Sequence, residues 1–405
     1  MASTLPDNPS LDRLRIEART LQRQVAATTD DAVDMVRHHH PRADIALAAN
    51  TFALHDAQLT VARRYGFSGW PALVHFLEAA AELSVDPAGI DEDALSAADR
   101  FCALSVLHYT AADAPPRWAA AADLLVAEPE LVNAHIWAAA AAADPDALAR
   151  QLGAGAEVAQ KGGPLGWEPL LYLCYTRSPV TSREQTLAAA ALLLDAGADP
   201  DAGYLWRGMS TPFTALTGVF GEGEQGPRRQ PRHPFATELA TLLLQRGAHP
   251  VDQQTLYNRM FRRDNSHLEL LFAYGLADAG PSPWERRLGE AMETRAQMWQ
   301  RQIHWAAENG FPERLSLLTR HGVDTSGIAV AVAEFPDDPN VVDDNGATAL
   351  HRAAWDGDLE LIGRLLDAGA DPTIADTRFD ATPLGWAEHA HQTEAADLLR
   401  SATRR

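Results

Sequence analysis

An all-α solenoid of stacked helix pairs with short hairpin fingers, preceded by a small helical unit, is the fold class this sequence predicts. Three observations carry the prediction. The tract Asp343–Ala375, DDNGATALHRAAWDGDLELIGRLLDAGADPTIA, reads as one self-contained turn–helix–turn–helix unit. Fainter copies of it run backward through two thirds of the chain at a spacing of roughly 33 residues, the signature of a stacked-repeat fold. The helical stretches carry apolar residues at three- and four-residue spacing, so each helix has one face to bury against a neighbour.

Each part of the clearest unit has a physical role. Asn345-Gly346 supplies a tight turn where positive φ is needed. Thr348 is placed to cap the first helix. Leu350, Ala353 and Ala354 are small or apolar and let adjacent helices approach, and Gly357 opens the turn between the two helices. Leu361, Leu365 and Leu366 form the buried stripe of the second helix. Gly369 stops it in a left-handed conformation, and Asp371-Pro372 starts the next finger.

From these residues the chain resembles the ankyrin-repeat family over roughly residues 95–403, and the match is sharpest at 343–375. The resemblance implies a turn, helix A, a tight connection, helix B and a finger in every unit, and a surface built first for binding. A last copy starts at Thr382, and its polar exit suits a terminal cap. Ile303-His304-Trp305-Ala306-Ala307, with Gly310 and Gly322, fits closely; Leu256 to Gly275 fits loosely. The units opened by Thr214 and by Glu168 are too long, Ile136-Trp137-Ala138-Ala139 pairs with Gly155-Ala156, and a helix pair near 95–130 is a degenerate first copy. Arg286–Arg301 predicts an extra helix. In the family's pattern His304 and His351 occupy the position of a histidine that makes structural hydrogen bonds between repeats.

The organisation expected is therefore residues 1–88 as a helical cap and 89–405 as the array, irregular at 166–279 and regular at 301–403. The segments LDRLRIEARTLQRQVAATTDDAVDMVRHHH and DAQLTVARRYGFSGWPALVHFLEAAAEL read as amphipathic helices. Their layout is similar to N-terminal segments often placed before bacterial ankyrin arrays, and the cap is expected to cover the exposed end of the stack.

The formal net charge is −21, from 34 Lys and Arg against 55 Asp and Glu. That balance argues against general nucleic-acid binding, which needs a basic footprint. Two cysteines make neither a disulfide framework nor a thiolate zinc site, so a reducing cytoplasm is the expected setting. No apolar run reaches membrane-spanning length. No cofactor is expected, since no Gly-rich phosphate loop, serine nucleophile elbow or HExxH motif is found. No metal is expected either: His38, His39 and His40 are consecutive and point in different directions from a helix.

The excess length of the irregular units falls in one place, after helix A. It comprises Thr176–Ser182, Gly221–Pro234 and Arg262–Ser266 in three consecutive units, so the three connections should meet along one edge. Eight arginines (177, 183, 228, 229, 232, 259, 262 and 263) stand there against Glu184, Glu222, Glu224 and Asp264. Arginine forks suit carboxylate or phosphate. Two readings stay open: a site for an anionic small molecule or an acidic partner segment, or arginines that pair with the abundant acids of the chain.

The expected binding residues are Tyr172, Tyr175, Arg177, Trp206, Arg228, Arg229, Arg232, Tyr257 and Arg263, with aromatic anchors beside arginines. The best functional reading is a protein that recognises a protein partner or an anionic small ligand through its central repeats. The alternative is an enzyme using Glu222, Glu224 or His233 for acid–base chemistry. A second alternative is an acidic mimic of nucleic acid, against which the scattered placement of the acids counts. Cys102 and Cys174 read as small buried residues, and His249 as a turn residue.

Overall fold

The computed structural model describes residues 5–6, 9–48, 52–178, 182–328, 336 and 338–404. Five helices come first: Leu11–Ala26, Asp30–His39, Ala43–Ala48, Leu54–Arg64 and Trp70–Leu83. In the first of them Leu14, Ala18, Leu21 and Val25 are buried at helical spacing, which is the stripe its sequence pattern dictates.

Eight helix pairs follow among the described residues, each a helix A and a helix B. They are Ala97–Ser105 with Pro115–Ala127, Ile136–Ala141 with Pro145–Gly153, Pro169–Tyr175 with Arg183–Asp195, and Ala215–Phe220 with Ala236–Gln245. The remaining four are Gln253–Arg259 with Ser266–Ala273, Arg295–Glu308 with Pro312–Arg320, Ala349–Asp356 with Leu359–Asp367, and Pro383–His389 with Thr393–Ala402. The fold is the all-α stacked-repeat class, in which each unit buries its apolar faces on its neighbours.

Among the described residues the core falls into three clusters. One runs through the array from Ala98 to Leu318, one belongs to the N-terminal helices, and one joins the last two pairs from Leu350 to Leu399. In the regular unit Ile362 and Leu365 are fully buried, Leu361 and Leu366 partly so. Gly357 takes a left-handed φ of 69° at the end of its helix A, and Thr348 caps that helix together with His351. His351 also binds the carbonyl of Ala381 in the next unit at 3.1 Å, so it is a structural link between repeats.

His304 does not act as its counterpart. Its helix starts early, at Arg295 behind a Thr294 capping box, and runs through the place where a cap would stand, leaving His304 exposed. The buried link in that unit is Gln302, which donates to the carbonyl of Leu256 at 2.7 Å. The extra helix is correspondingly shorter and earlier than expected, Pro283–Leu288.

The N-terminal unit does not sit over the end of the stack. It docks on the long finger of the fourth pair and on the extra helix. The finger is a hairpin, Gly203–Trp206 with Pro212–Thr214, and Ser84–Val85 adds to it as a parallel third strand, with Ser84 beside Leu205 and Val85 beside Trp206. Strand alternation sends neighbouring side chains to opposite faces. Tyr204 joins the core of the array, while Leu205 enters the core of the N-terminal helices together with Trp284, Leu288 and Met292. Burying such apolar groups, each worth roughly 1.5–3 kcal/mol, favours this docking over an exposed finger. Glu290 on Ser68 (2.7 Å) and Arg287 on Glu82 (2.9 Å) rim the contact.

Candidate functional site

The three long connections do meet along one edge, and Arg177 ties two of them together. It leaves the end of helix Pro169–Tyr175, and its guanidinium donates to the carbonyls of Thr176 (2.8 Å), Cys174 (3.3 Å), Pro231 (2.8 Å) and Gly218 (2.5 Å). Carbonyls at helix ends carry partial negative charge, which makes them suitable acceptors for a buried cation. Burial still brings its pKa down to about 10. Arg177 is therefore a clamp for the connection and presents nothing to a ligand. Pro179–Thr181 of the first connection lie outside the described residues.

Gly221 makes the next turn possible. Its φ is 56°, and a Cβ there would lie 2.3 Å from the carbonyl oxygen of Pro231. The chain then places Glu222, itself at φ 59°, inward. The Glu222 carboxylate pairs with buried Arg259 and, at 3.4 Å, with Arg232. Asp264 takes the other side of both arginines, at 3.2 Å from Arg232. Burial alone would raise the Asp264 pKa, but Arg259, the Ser266 hydrogen bonds and Arg232 outweigh it and hold it low. Beneath this network the fully buried Arg314 donates to Asn265 Oδ1 (2.8 Å) and to the carbonyls of Met260 (2.7 Å), Arg262 and Asp264 (3.1 Å).

Several expected binding residues belong to the interior. Tyr172 and Tyr175 are fully buried. The Tyr172 hydroxyl accepts from the Leu165 amide and donates to Gly162, and that of Tyr175 donates to Thr214. Both pack around Trp167, filling the space between irregular units. Trp206 is half-buried against the array and donates to the carbonyl of His108 at 3.0 Å. Tyr257 hydrogen-bonds Glu224 and carries Arg301 over its ring at 5.0 Å. Arg183 pairs with Glu238, and Arg229 binds the carbonyl of Ala111. Arg263 pairs with Asp358 at 3.0 Å and lies on the ring of Phe311. Of the eight arginines, Arg183, Arg232, Arg259 and Arg263 pair with acids, Arg177 and Arg229 bind backbone carbonyls, and Arg228 and Arg262 have no acid partner among the described residues.

The three acid–base candidates are not brought together. Glu222 is held in the ion network, and Glu224 is exposed on Tyr257. His233 is buried, and its Nδ1 accepts from the Phe235 amide at 3.1 Å. Burial, then the charge of Arg177, pushes its pKa well below the usual range. No hydrogen bond or ion pair joins any two of the three among the described residues.

What remains open is a cleft of about 410 Å³ between the connections and the last two pairs, lined by Glu222, Arg232, Arg262, Arg263, Asp356 and His391 among others. Asp356 and His391 were missed by the sequence reading. In a nearest-neighbour stack the seventh and eighth units have no reason to touch the fourth. The long insertion reaches across to them, and only its length hinted at that.

The stacked pairs define a repeat solenoid, and its family follows from comparison: residues 300–403 match the family described as ankyrin repeats (3 copies). The chain thus carries ankyrin repeats over residues 300–403, and such repeats are protein-interaction modules. No curated protein matches the chain. No helix among the described residues is long and apolar enough to cross a membrane.

Proposed function

We propose that this protein is a binding scaffold that docks a protein partner on the finger and A-helix side of its last two repeats. One observation carries the reading: large apolar side chains stand uncovered there, while the long finger of the central repeats is covered by the chain's own N-terminal helices. Trp355 at the end of its helix A is 41% exposed and Phe379 in the last finger 64% exposed, with Val341 and Val342 in the preceding finger also exposed. Trp355 is held by ring contacts with Trp386 (5.9 Å) and His389 (5.7 Å) of the next helix A, so it is presented in a fixed orientation. Rigid aromatic anchors in an exposed apolar group mark interaction surfaces. A cytoplasmic location belongs to the same reading, supported by the two free, buried thiols Cys102 and Cys174.

The test is affinity capture with the full chain and with the double variant Trp355→Ala, Phe379→Ser. A partner retained by the wild-type protein should be retained about tenfold less by the variant, at unchanged melting temperature. Equal retention by both proteins overturns the reading.

A further inference from the structure

The cleft between the insertion and the last two repeats contains cationic groups that the internal pairing leaves over. Arg232 is neutralised by Glu222 and Asp264, and Arg263 by Asp358. Arg262 lines the same cleft and is half-buried, and its guanidinium makes no hydrogen bond or ion pair among the described residues. Arg228, on the short helix Gly226–Arg229 of the insertion, is exposed and equally without an acceptor. His391 faces them from the turn between the last two helices. Burial, then Arg228, His389 and Arg262, lowers its pKa, so the charge of Arg228 is felt at His391 although Arg228 does not itself line the cleft.

Asp356 is the one acid of the cleft with no ion pair among the described residues; burial raises its pKa against the pull of Arg263 and Arg262. Set against Arg228, Arg262 and a protonated His391, it leaves a surplus of two positive charges. The donors come from three connections that the insertion alone brings together. A wide, partly desolvated cleft with converging donors is where a small charged group gains most from binding.

We propose that this cleft binds a phosphoryl dianion, with Arg262 as its principal donor and Arg228 and His391 completing the charge match. The cleft adjoins the apolar docking face, since Arg263 and Asp356 also line the hollow that Val341 and Val342 border. An anion seated there would favour the protonated form of His391, so binding takes up a proton. His391 is neutral in the free protein above its ordinary range, and affinity therefore rises as pH falls. Glu222 and Asp264 are already paired to arginine and Asp356 opposes the anion, so removing the Asp356 charge strengthens binding.

The experiment is calorimetric titration of the full chain at constant ionic strength, because salt screens such contacts. Sulfate is the probe for pH dependence, since it stays a dianion between pH 6 and 8. Saturable binding is expected, tighter at pH 6 than at pH 8, with the pH dependence lost in His391→Asn. Arg262→Gln should weaken it about tenfold, Arg228→Gln severalfold, and Asp356→Asn should tighten it severalfold, in line with the weight of charge-assisted bonds. Arg228 is exposed, so its variant keeps the test valid should Arg262→Gln unfold. Inorganic phosphate and a phosphoserine peptide then separate the sources. Equal affinity assigns the site to a free phosphate compound, and a peptide at least tenfold tighter, by roughly 1.4 kcal/mol, assigns it to a phosphorylated partner segment. No saturable binding of any probe, or equal binding by wild type and the two arginine variants, overturns the proposal.

Discussion

Ser84 and Leu205 lie side by side on parallel strands, and the Leu205 side chain is fully buried in the core of the N-terminal helices. This pairing joins two units that a solenoid would otherwise leave apart. Leu205→Ala removes the contact and opens a cavity, which costs roughly 2–5 kcal/mol at buried leucines. The expected result is earlier proteolysis of residues 11–83 and a lower denaturation midpoint for that unit. Met209, exposed at the tip of the same finger, is the control, and its alanine variant should behave as wild type. If Leu205→Ala matches that control, the docking contributes nothing measurable.

Arg314 provides a second test, of the support beneath the connections. Its fork binds one side-chain oxygen and three carbonyls, of which that of Met260 is buried and the others partly so. A lysine at that position brings the charge but not the planar set of donors. Arg314→Lys should therefore lose about 2–4 kcal/mol, since unpaired buried carbonyls cost roughly 1–3 kcal/mol each. Arg314→Lys within 0.5 kcal/mol of wild type, roughly the scatter of a surface change, would contradict the clamp.

The two variants also mark what the sequence could and could not disclose. Helix pairs, caps and stops follow from local rules, so Thr348, Gly357 and Gly369 announce their own roles. The position of the long connections was legible too, because a fixed repeat length exposes any insertion. The side-chain partners were not legible. Arginine at 177 reads as a surface donor until the fold surrounds it with carbonyls, and Tyr172 reads as a contact residue until irregular packing closes over it. The docking of residues 11–83 on Leu205 is a long-range event with no periodic trace, and so is the approach of His391 to the insertion.

His351 should make stability depend on pH in one direction. Its Nδ1 accepts the Thr348 amide hydrogen at 3.0 Å, and Nε2 donates to Ala381, so the neutral ring is required. Burial lowers its pKa below the ordinary histidine value of 6.5. The unfolded chain therefore binds more protons than the folded one in that window. The stability it contributes is present above the unfolded pKa and is lost as pH falls through the folded one. His351→Gln should abolish this slope between about pH 7 and 5, as read from denaturant midpoints; an unchanged slope assigns the titration elsewhere.

Asp113 should act with the opposite sign. It is fully buried and accepts the amides of His108 (3.1 Å) and Thr110 (2.9 Å). Burial raises its pKa from 3.8 to about 6, despite those hydrogen bonds and the charge of Arg117. Here the folded state binds the extra proton, so stability falls as pH rises from the unfolded pKa to the folded one and is level beyond both. The full span corresponds to roughly 3 kcal/mol. Asp113→Asn cannot ionise, and its amide group meets one backbone N–H that the carboxylate accepted, which gives a penalty independent of pH. The variant should accordingly be less stable than wild type at pH 4 and recover up to roughly 3 kcal/mol relative to it by pH 7. Denaturation curves of both proteins at matched pH decide it: a difference that stays constant from pH 4 to 7 means that Asp113 ionises as freely in the folded protein as in the unfolded chain.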